Sequence, residues 1–459
     1  MAGIGFELRK MFKNGSITSK IKGTVYATFT TIGPTIIFLL MLLGINFAVR
    51  VLEVSEKDRM LFSCASTYGF IFAILISGSL NTILSRYVSD MLFKKNNEKI
   101  PPALFGSMFI SAIIAGIFSL ILCVVLYFKY DTDLYFLCGY YLFSVMISVT
   151  YTIMTLVSAI KEYKKITMAF FVGILTGVLT FLLLYYVIGI TVLNSLIYSM
   201  TVAFLIINII IAYFILSFFD YSGNDYFEFL AYFKKYPLLA LSGIFYITGL
   251  YAANIIYWFF SDISMKVAVF RVAPSYDMAA FLAMIINLSA PVIFCVNVET
   301  QLFEKYKQYT AALTGANYST IEKTRKLMCN IINVQLFFIY EVQLIITIIL
   351  TCLAILLFPM FGFGGLVLDF FLLLGLAMFC IFSMYFTVVM LYYFDDQVGS
   401  CTAAGIFFAV TVLASIIAVR LGPGYYAMPS LLGGLAGLIY AFMRLRHFLK
   451  TINARLFCY

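Results

Sequence analysis

The sequence predicts an all-α integral membrane protein of twelve transmembrane helices arranged six plus six. Three observations carry this. Of 459 residues, 63% are hydrophobic and only 11% charged, and the mean hydropathy is +1.03, a balance that cannot cover the surface of a water-soluble chain. The apolar residues fall into twelve runs of spanning length. The basic residues are sorted between alternate loops. A soluble enzyme or nucleic-acid-binding domain is excluded, and with a single His neither a His-based catalytic triad nor a His-built metal site is available. The nine cysteines show no CxxC spacing and read as small hydrophobes in apolar runs.

The runs lie at 24 to 49, 61 to 88, 103 to 128, 134 to 160, 166 to 188, 193 to 218, 238 to 260, 278 to 298, 333 to 358, 364 to 392, 400 to 420 and 424 to 443. They are numbered here as the first to twelfth helices. An even number places both termini on one side. Lys and Arg test that parity, because they gather on the cytoplasmic face. The termini and the loops after even-numbered helices hold 23 of the 30 basic residues, which puts both ends in the cytoplasm and makes the net charge of +9 a topology signal. No cleavable signal peptide is expected, since the basic start leads into a run of full spanning length. Ile4, Leu8, Met11 and Phe12 at helical spacing, with Arg9, Lys10 and Lys13 beside them, predict an interfacial helix within 1–23. Ala2 stands where myristoylation needs Gly.

The domain reading is a first six-helix bundle over 24–218, a linker at 219–237, a second bundle over 238–443 and a tail at 444–459. In each half the second helix precedes that half's longest basic loop, with Lys94, Lys95 and Lys99 in one and Lys305, Lys307, Lys323, Arg325 and Lys326 in the other, as a parallel repeat would give. Ser319 and Glu322 have capping-box spacing ahead of the ninth helix. The linker mixes Asp220, Asp225 and Glu228 with Tyr221, Tyr226, Phe227, Phe229, Tyr232, Phe233 and Tyr236, a composition suited to the headgroup region or to a cytoplasmic partner. Twelve spans in two similar halves point to a transporter whose bundles move against each other. The lack of a GxxxxGK[ST] loop means that it hydrolyses no nucleotide itself. No enzymatic activity and no cofactor are expected.

Polar residues within spans are the functional candidates. Thr24, Thr28, Thr31 and Thr35 form one stripe on the first helix, interrupted by Gly33-Pro34, which suits either a cavity-lining helix with a hinge or plain packing. Ser242, Tyr246, Gly249, Ala253 and Tyr257 share a face of the seventh helix that could stack on sugar rings, or pack closely against a neighbour; Trp258 reads as an interfacial anchor. Glu341 lies about 12 Å into the ninth helix at 1.5 Å per residue, as a coupling group, a cavity-lining acceptor or one end of a helix-to-helix bond. Arg86 and Asp90 sit one turn apart at the inner end of the second helix. Asp262, Lys266, Arg271 and Asp277 sum to zero on the outer connection after the seventh, as an outer gate or as solvated loop charges.

The opening MAGIGFELRK, the Gly33-Pro34 kink, the run Arg86-Tyr87-Val88-Ser89-Asp90 and the segment Val298-Glu299-Thr300 resemble the family of Pel exopolysaccharide transporters, PelG, within the multidrug/oligosaccharidyl-lipid/polysaccharide exporter superfamily. The resemblance spans the chain and is most specific at the amino-terminal string; it brings Glu299 into the charge-network candidates. It implies two six-helix bundles around a central cavity and export of an amino-sugar polysaccharide across the cytoplasmic membrane for biofilm matrix. It also implies work beside a cytoplasmic glycosyltransferase (PelF) and membrane partners PelD and PelE, with PelD as the cyclic-di-GMP receptor. A polysaccharide and the lipid bilayer are thus the expected partners, and nucleic acid is not. The rival readings are a lipid-linked oligosaccharide flippase, a cation-coupled multidrug antiporter with Glu341 carrying the ion, and a scaffold that transports nothing.

Overall fold

The computed structural model describes isolated positions between 28 and 52 and, apart from 53, 158–162, 221–222, 297–299 and 363, the chain from 54 to 458. Of the predicted first helix, the described positions that include Thr28, Ile32, Gly33 and Thr35 are helical. Thr24, Thr31, Pro34, the 1–23 segment and Glu299 lie outside the described residues.

Eleven further helices are long and apolar enough to cross a bilayer among the described residues, so the twelve-helix architecture holds. Several run past their predicted ends. The second, Glu56–Lys94, starts where the Ser55 hydroxyl accepts the Asp58 N–H at 3.2 Å, with Glu56 and Asp58 favoured by the helix dipole in the first turn. It closes on a left-handed Lys95. Hydropathy marks where lipid lies, whereas capping and backbone bonds decide where a helix stops. The third helix (Ile100–Tyr130) opens on Pro101 and Pro102, where no N–H is needed. The fourth (Leu134–Val157), fifth (Tyr163–Leu182, continued by a wider π turn Leu183–Ile188) and sixth (Val192–Phe218) follow, then the seventh, Pro237–Phe260. Along the third helix Ile113, Ile117, Leu120, Ile121 and Val124 are exposed at helical spacing, the surface lipid would cover.

The eighth helix corrects the prediction of one run over 278 to 298. It is two pieces, Pro274–Ile286 and Ser289–Phe294, broken at Asn287 and Leu288. The ninth is a single helix of 40 residues, Tyr318–Leu357, preceded by Thr300–Leu313. Its N-cap is Asn317 rather than Ser319, and Glu322 is drawn away from a capping box by Arg325, which donates to it at 2.6 and 2.8 Å. The tenth to twelfth are Leu366–Tyr393, Gln397–Leu421 and Met428–Cys458. A two-stranded hairpin, β1 (Met265–Val267) and β2 (Phe270–Val272), occupies the connection after the seventh helix.

The chain forms two compact units. One comprises Gly33–Thr248 with Ser264–Val272; the other comprises Gly249–Ile263 and Ala273–Tyr459. The predicted linker 219–237 therefore falls wholly inside the first of these, and a boundary lies within the seventh helix at Thr248 and Gly249. In the first unit the second and seventh helices cross at glycines, where a Cβ on Gly243 would stand 2.6 Å from the Gly78 carbonyl oxygen. In the second unit Phe294, Leu302, Met328, Phe386, Leu445 and Phe448 belong to one buried cluster, which joins Thr300–Leu313 and the polar start of the ninth helix to the membrane bundle.

Candidate functional site

The residues singled out on the seventh helix are mostly packed. Tyr257 is fully buried, stacked on Tyr426 with ring centroids 4.5 Å apart and edge-on to Tyr276 at 4.8 Å. Its hydroxyl donates to the Tyr426 carbonyl at 2.8 Å. Ala253 is buried, the Ser242 hydroxyl bonds its own backbone at Leu239, and a Cβ on Gly249 would meet the Phe407 ring at 2.7 Å. The close-packing reading of this face is the one realised; Tyr246 alone of the five stays half-buried. The Tyr426 hydroxyl donates to Asp262 at 2.5 Å, and the Tyr276 and Ser430 hydroxyls lie 3.1 Å apart.

Trp258 is not an interfacial anchor. It is 2% exposed, and its indole N–H donates to the Asp277 carboxylate at 2.9 and 3.0 Å. Asn254 Nδ2 at 2.7 Å and the Ala273 N–H at 3.1 Å complete the shell, so Asp277 is a fixed structural carboxylate and not a solvated loop charge. Of the four outer charges, Asp262 and Asp277 belong to the second unit, and Lys266 and Arg271 sit on the exposed face of the hairpin in the first.

Glu341 is exposed, on a face with Phe337, Phe338 and Ile345, so no helix-to-helix hydrogen bond holds it among the described residues. The buried polar group is Gln343, two residues on and turned about 200° around a helix of 3.6 residues per turn. Gln343 donates to Asn287 Oδ1 at 3.0 Å, accepts from Ser289 at 2.9 Å, and lies 3.2 Å from the Thr347 hydroxyl. Asn287 in turn donates to the Ala283 and Gly375 carbonyls at 3.0 and 3.2 Å. This network fills the break in the eighth helix with side-chain partners, as a membrane requires wherever the backbone ladder is interrupted. Sequence reading passed over it because amides carry no charge; the available signal was Asn287 alone in an apolar run, with Gln343 and Thr347 one helical turn apart.

At the basic end of the second helix, Arg86 and Asp90 are joined by the segment after the sixth helix. Arg86 Nε lies 3.3 Å from Asp90 Oδ1, its guanidinium is 4.9 Å from the Tyr236 ring centroid, and the Tyr232 hydroxyl donates to Asp90 Oδ2 at 3.2 Å. Lys99 donates to both Glu228 oxygens at 2.9 and 2.8 Å, and Tyr87 donates to the same carboxylate at 3.2 Å. Phe229 is fully buried, and Gly106 leaves room for the Tyr226 carbonyl, which a Cβ there would strike. The described part of 219–237 docks on its own bundle, where Phe229 is buried and Glu228 finds bonded partners. Burial, with the Asp90 charge and hydrogen bond adding to it, pushes the Tyr232 phenol up to about 12.

Of the first helix, Thr28 and Thr35 are half-buried and Gly33 is buried, with Thr167 Oγ1 3.0 Å from where its Cβ would be. Among the described residues no three His, Cys, Asp or Glu side chains gather as a metal site.

Twelve spanning helices with polar side-chain networks at a helix break and at the helix ends define a multi-pass membrane protein. The fold is similar to an outward-facing multidrug resistance MATE family transporter of the MOP superfamily (TM-score 0.64, 11% identity, covering 94% of this chain and 97% of that one). It is likewise similar to a MOP superfamily transporter from Pyrococcus furiosus Vc1 (DSM3638) (TM-score 0.64, 12% identity, 94% and 96%) and to a MATE in the straight conformation (0.62, 12%, 93% and 96%). At these identities the likeness establishes the fold. No curated protein matches the chain by sequence. The family model of PelG, exopolysaccharide exporter (EPS-E), matches residues 1–457. The chain belongs to the PelG family and is a membrane exporter.

Proposed function

We propose that this protein exports a Pel-type amino-sugar exopolysaccharide across the cytoplasmic membrane during biofilm matrix formation, with both termini cytoplasmic and no catalytic chemistry of its own. The family match over residues 1–457 carries the reading. The sorting of 23 of 30 basic residues onto one face supports the orientation. By the same reading it works with a PelF-type glycosyltransferase and with PelD and PelE, PelD binding cyclic-di-GMP. Thr28, Thr31, Thr35 and Tyr246 are the candidates for polymer contact, and Gly33-Pro34 for the hinge. Deleting the gene should leave polymer trapped in the cytoplasm while the glycosyltransferase stays active. Normal secretion from the deleted strain, with the glycosyltransferase tethered artificially to the membrane, would leave only a scaffold.

One observation favours a second reading. Glu341 is an exposed carboxylate within the ninth helix, a group able to carry a proton or sodium ion in a cation-coupled antiporter. Glu341→Gln should then abolish ion-dependent efflux; unchanged transport at equal expression removes this reading.

A further inference from the structure

The hairpin 264–272 has an unusual place in the chain. It packs within the unit of Gly33–Thr248, yet the segments on both sides of it, Gly249–Ile263 and Ala273–Tyr459, belong to the other unit. It is also too small to hold itself together. Each strand has three residues, in the register Met265↔Val272, Lys266↔Arg271 and Val267↔Phe270, and an isolated two-stranded ribbon is marginal in water. Its central pair sets two cations directly opposite each other, which weakens it further. Its two-residue turn forces Ala268 to φ 53°, a left-handed conformation that disfavours a side chain.

What holds the hairpin is the second helix, with the third and fourth beside it. Phe270 is fully buried, edge-on to Tyr68 at 4.9 Å and to Tyr140 at 6.0 Å. The Tyr68 hydroxyl donates to the Arg271 carbonyl at 2.8 Å and accepts the Arg271 N–H at 3.1 Å. One phenol thus takes both backbone groups on the free edge of β2, as a third strand would. Lys266 reaches over Tyr130, its Nζ 5.9 Å from the ring centroid. The docking rests on one ring in an aromatic notch and one hydroxyl on one peptide.

We propose that this hairpin is a strap at the end of the molecule opposite the basic loops, docked through Phe270 and Tyr68 and released during the transport cycle. The proposal rests on the export reading above. A stretch whose flanks belong to one unit and whose contacts belong to the other cannot follow both when the bundles move. Either the aromatic notch opens or the bundles stay together. Weak intrinsic strand pairing makes release cheap, and the specific notch makes recapture selective.

Two measurements on the full chain in lipid nanodiscs and in cells test this. Phe270→Ala and Tyr68→Phe should each speed amide exchange at Arg271 by about tenfold, the value of one lost hydrogen bond, with the exchange of Leu374 in the tenth helix unchanged. Exchange at Arg271 unaltered in both variants would overturn the docking. The pair Tyr68→Cys with Phe270→Cys, bridged by a reducible bifunctional thiol reagent, should stop polymer export and recover it on reduction, while each single variant treated alike keeps exporting. Export that continues through the bridge would overturn the strap. If the untreated wild-type chain exports no polymer, the export reading fails instead, and the exchange measurement still decides the docking.

Discussion

Asp396 carries two tasks that a carboxylate performs well. One oxygen accepts the Gly399 N–H at 3.2 Å, capping the eleventh helix, and the pair is held by Arg444 at 2.6 and 2.8 Å, with the Asp396 side chain only 3% exposed. Arg444→Met keeps length and apolar bulk but strands the anion. The expected cost is about 3 kcal/mol or more, read as a lowered thermal midpoint in detergent. Gly399 is bound to the same site, since a Cβ there would meet Arg444 Nε at 2.9 Å; Gly399→Ala should destabilise by about 1–3 kcal/mol through overpacking. Trp258 makes the opposite point. A tryptophan near a helix end normally suggests a wet interface, but here the buried Asp277 needs its N–H. Trp258→Phe should therefore cost more than its lost area, because it leaves a buried carboxylate oxygen short of a donor.

The eighth helix and the segment 225–236 show how polar groups decide what apolar periodicity leaves open. Asn287, Gln343, Ser289 and Thr347 satisfy one another across the helix break. Gln343→Leu should lower stability by about 1–3 kcal/mol per stranded polar group, with faster amide exchange confined to residues 284 to 290. The docked segment is held by Lys99 and Glu228 at one end and by Asp90 and Tyr232 at the other. Glu228→Gln keeps the shape and removes the charge attraction, and should raise protease cleavage between 224 and 236. Tyr232 adds a pH dependence with a definite sign. Its phenol is raised to about 12 from 10.0, so its contribution is complete below pH 10 and is lost as pH rises through 12. Docking should loosen in that window in wild type, and Tyr232→Phe should weaken that dependence, leaving the part that the Lys99 ammonium contributes at Glu228.

For the molecule as a whole the testable statement is orientation. Epitopes inserted at Gly223 and Gly364, both with open space around them, should differ: in intact cells antibody reaches only the one at Gly364. The reverse pattern would overturn the proposed topology. The number of spans, their approximate positions and the sorting of Lys and Arg were legible because each follows from transfer of a local stretch between water and lipid. Arg86 and Asp90 were legible as a pair one turn apart, but their partners Tyr232 and Tyr236 lie more than 140 residues away and only folding brings them together. Tyr257 was legible as part of a shared face with two readings, and sequence left them open for the same reason: periodicity shows which side chains share a face, not what covers it.

Length, hydropathy and charge order were therefore enough to place this chain among twelve-helix transporters and to orient it as proposed, since those are sums over neighbours in sequence. Four things waited for the tertiary structure: the break at Asn287, the docked segment, the hairpin bonded to Tyr68, and the assignment of the seventh helix to two units at Gly249. Each depends on pairing between residues far apart in the chain, where an unsatisfied polar group or a missing Cβ in one element is answered by an atom in another.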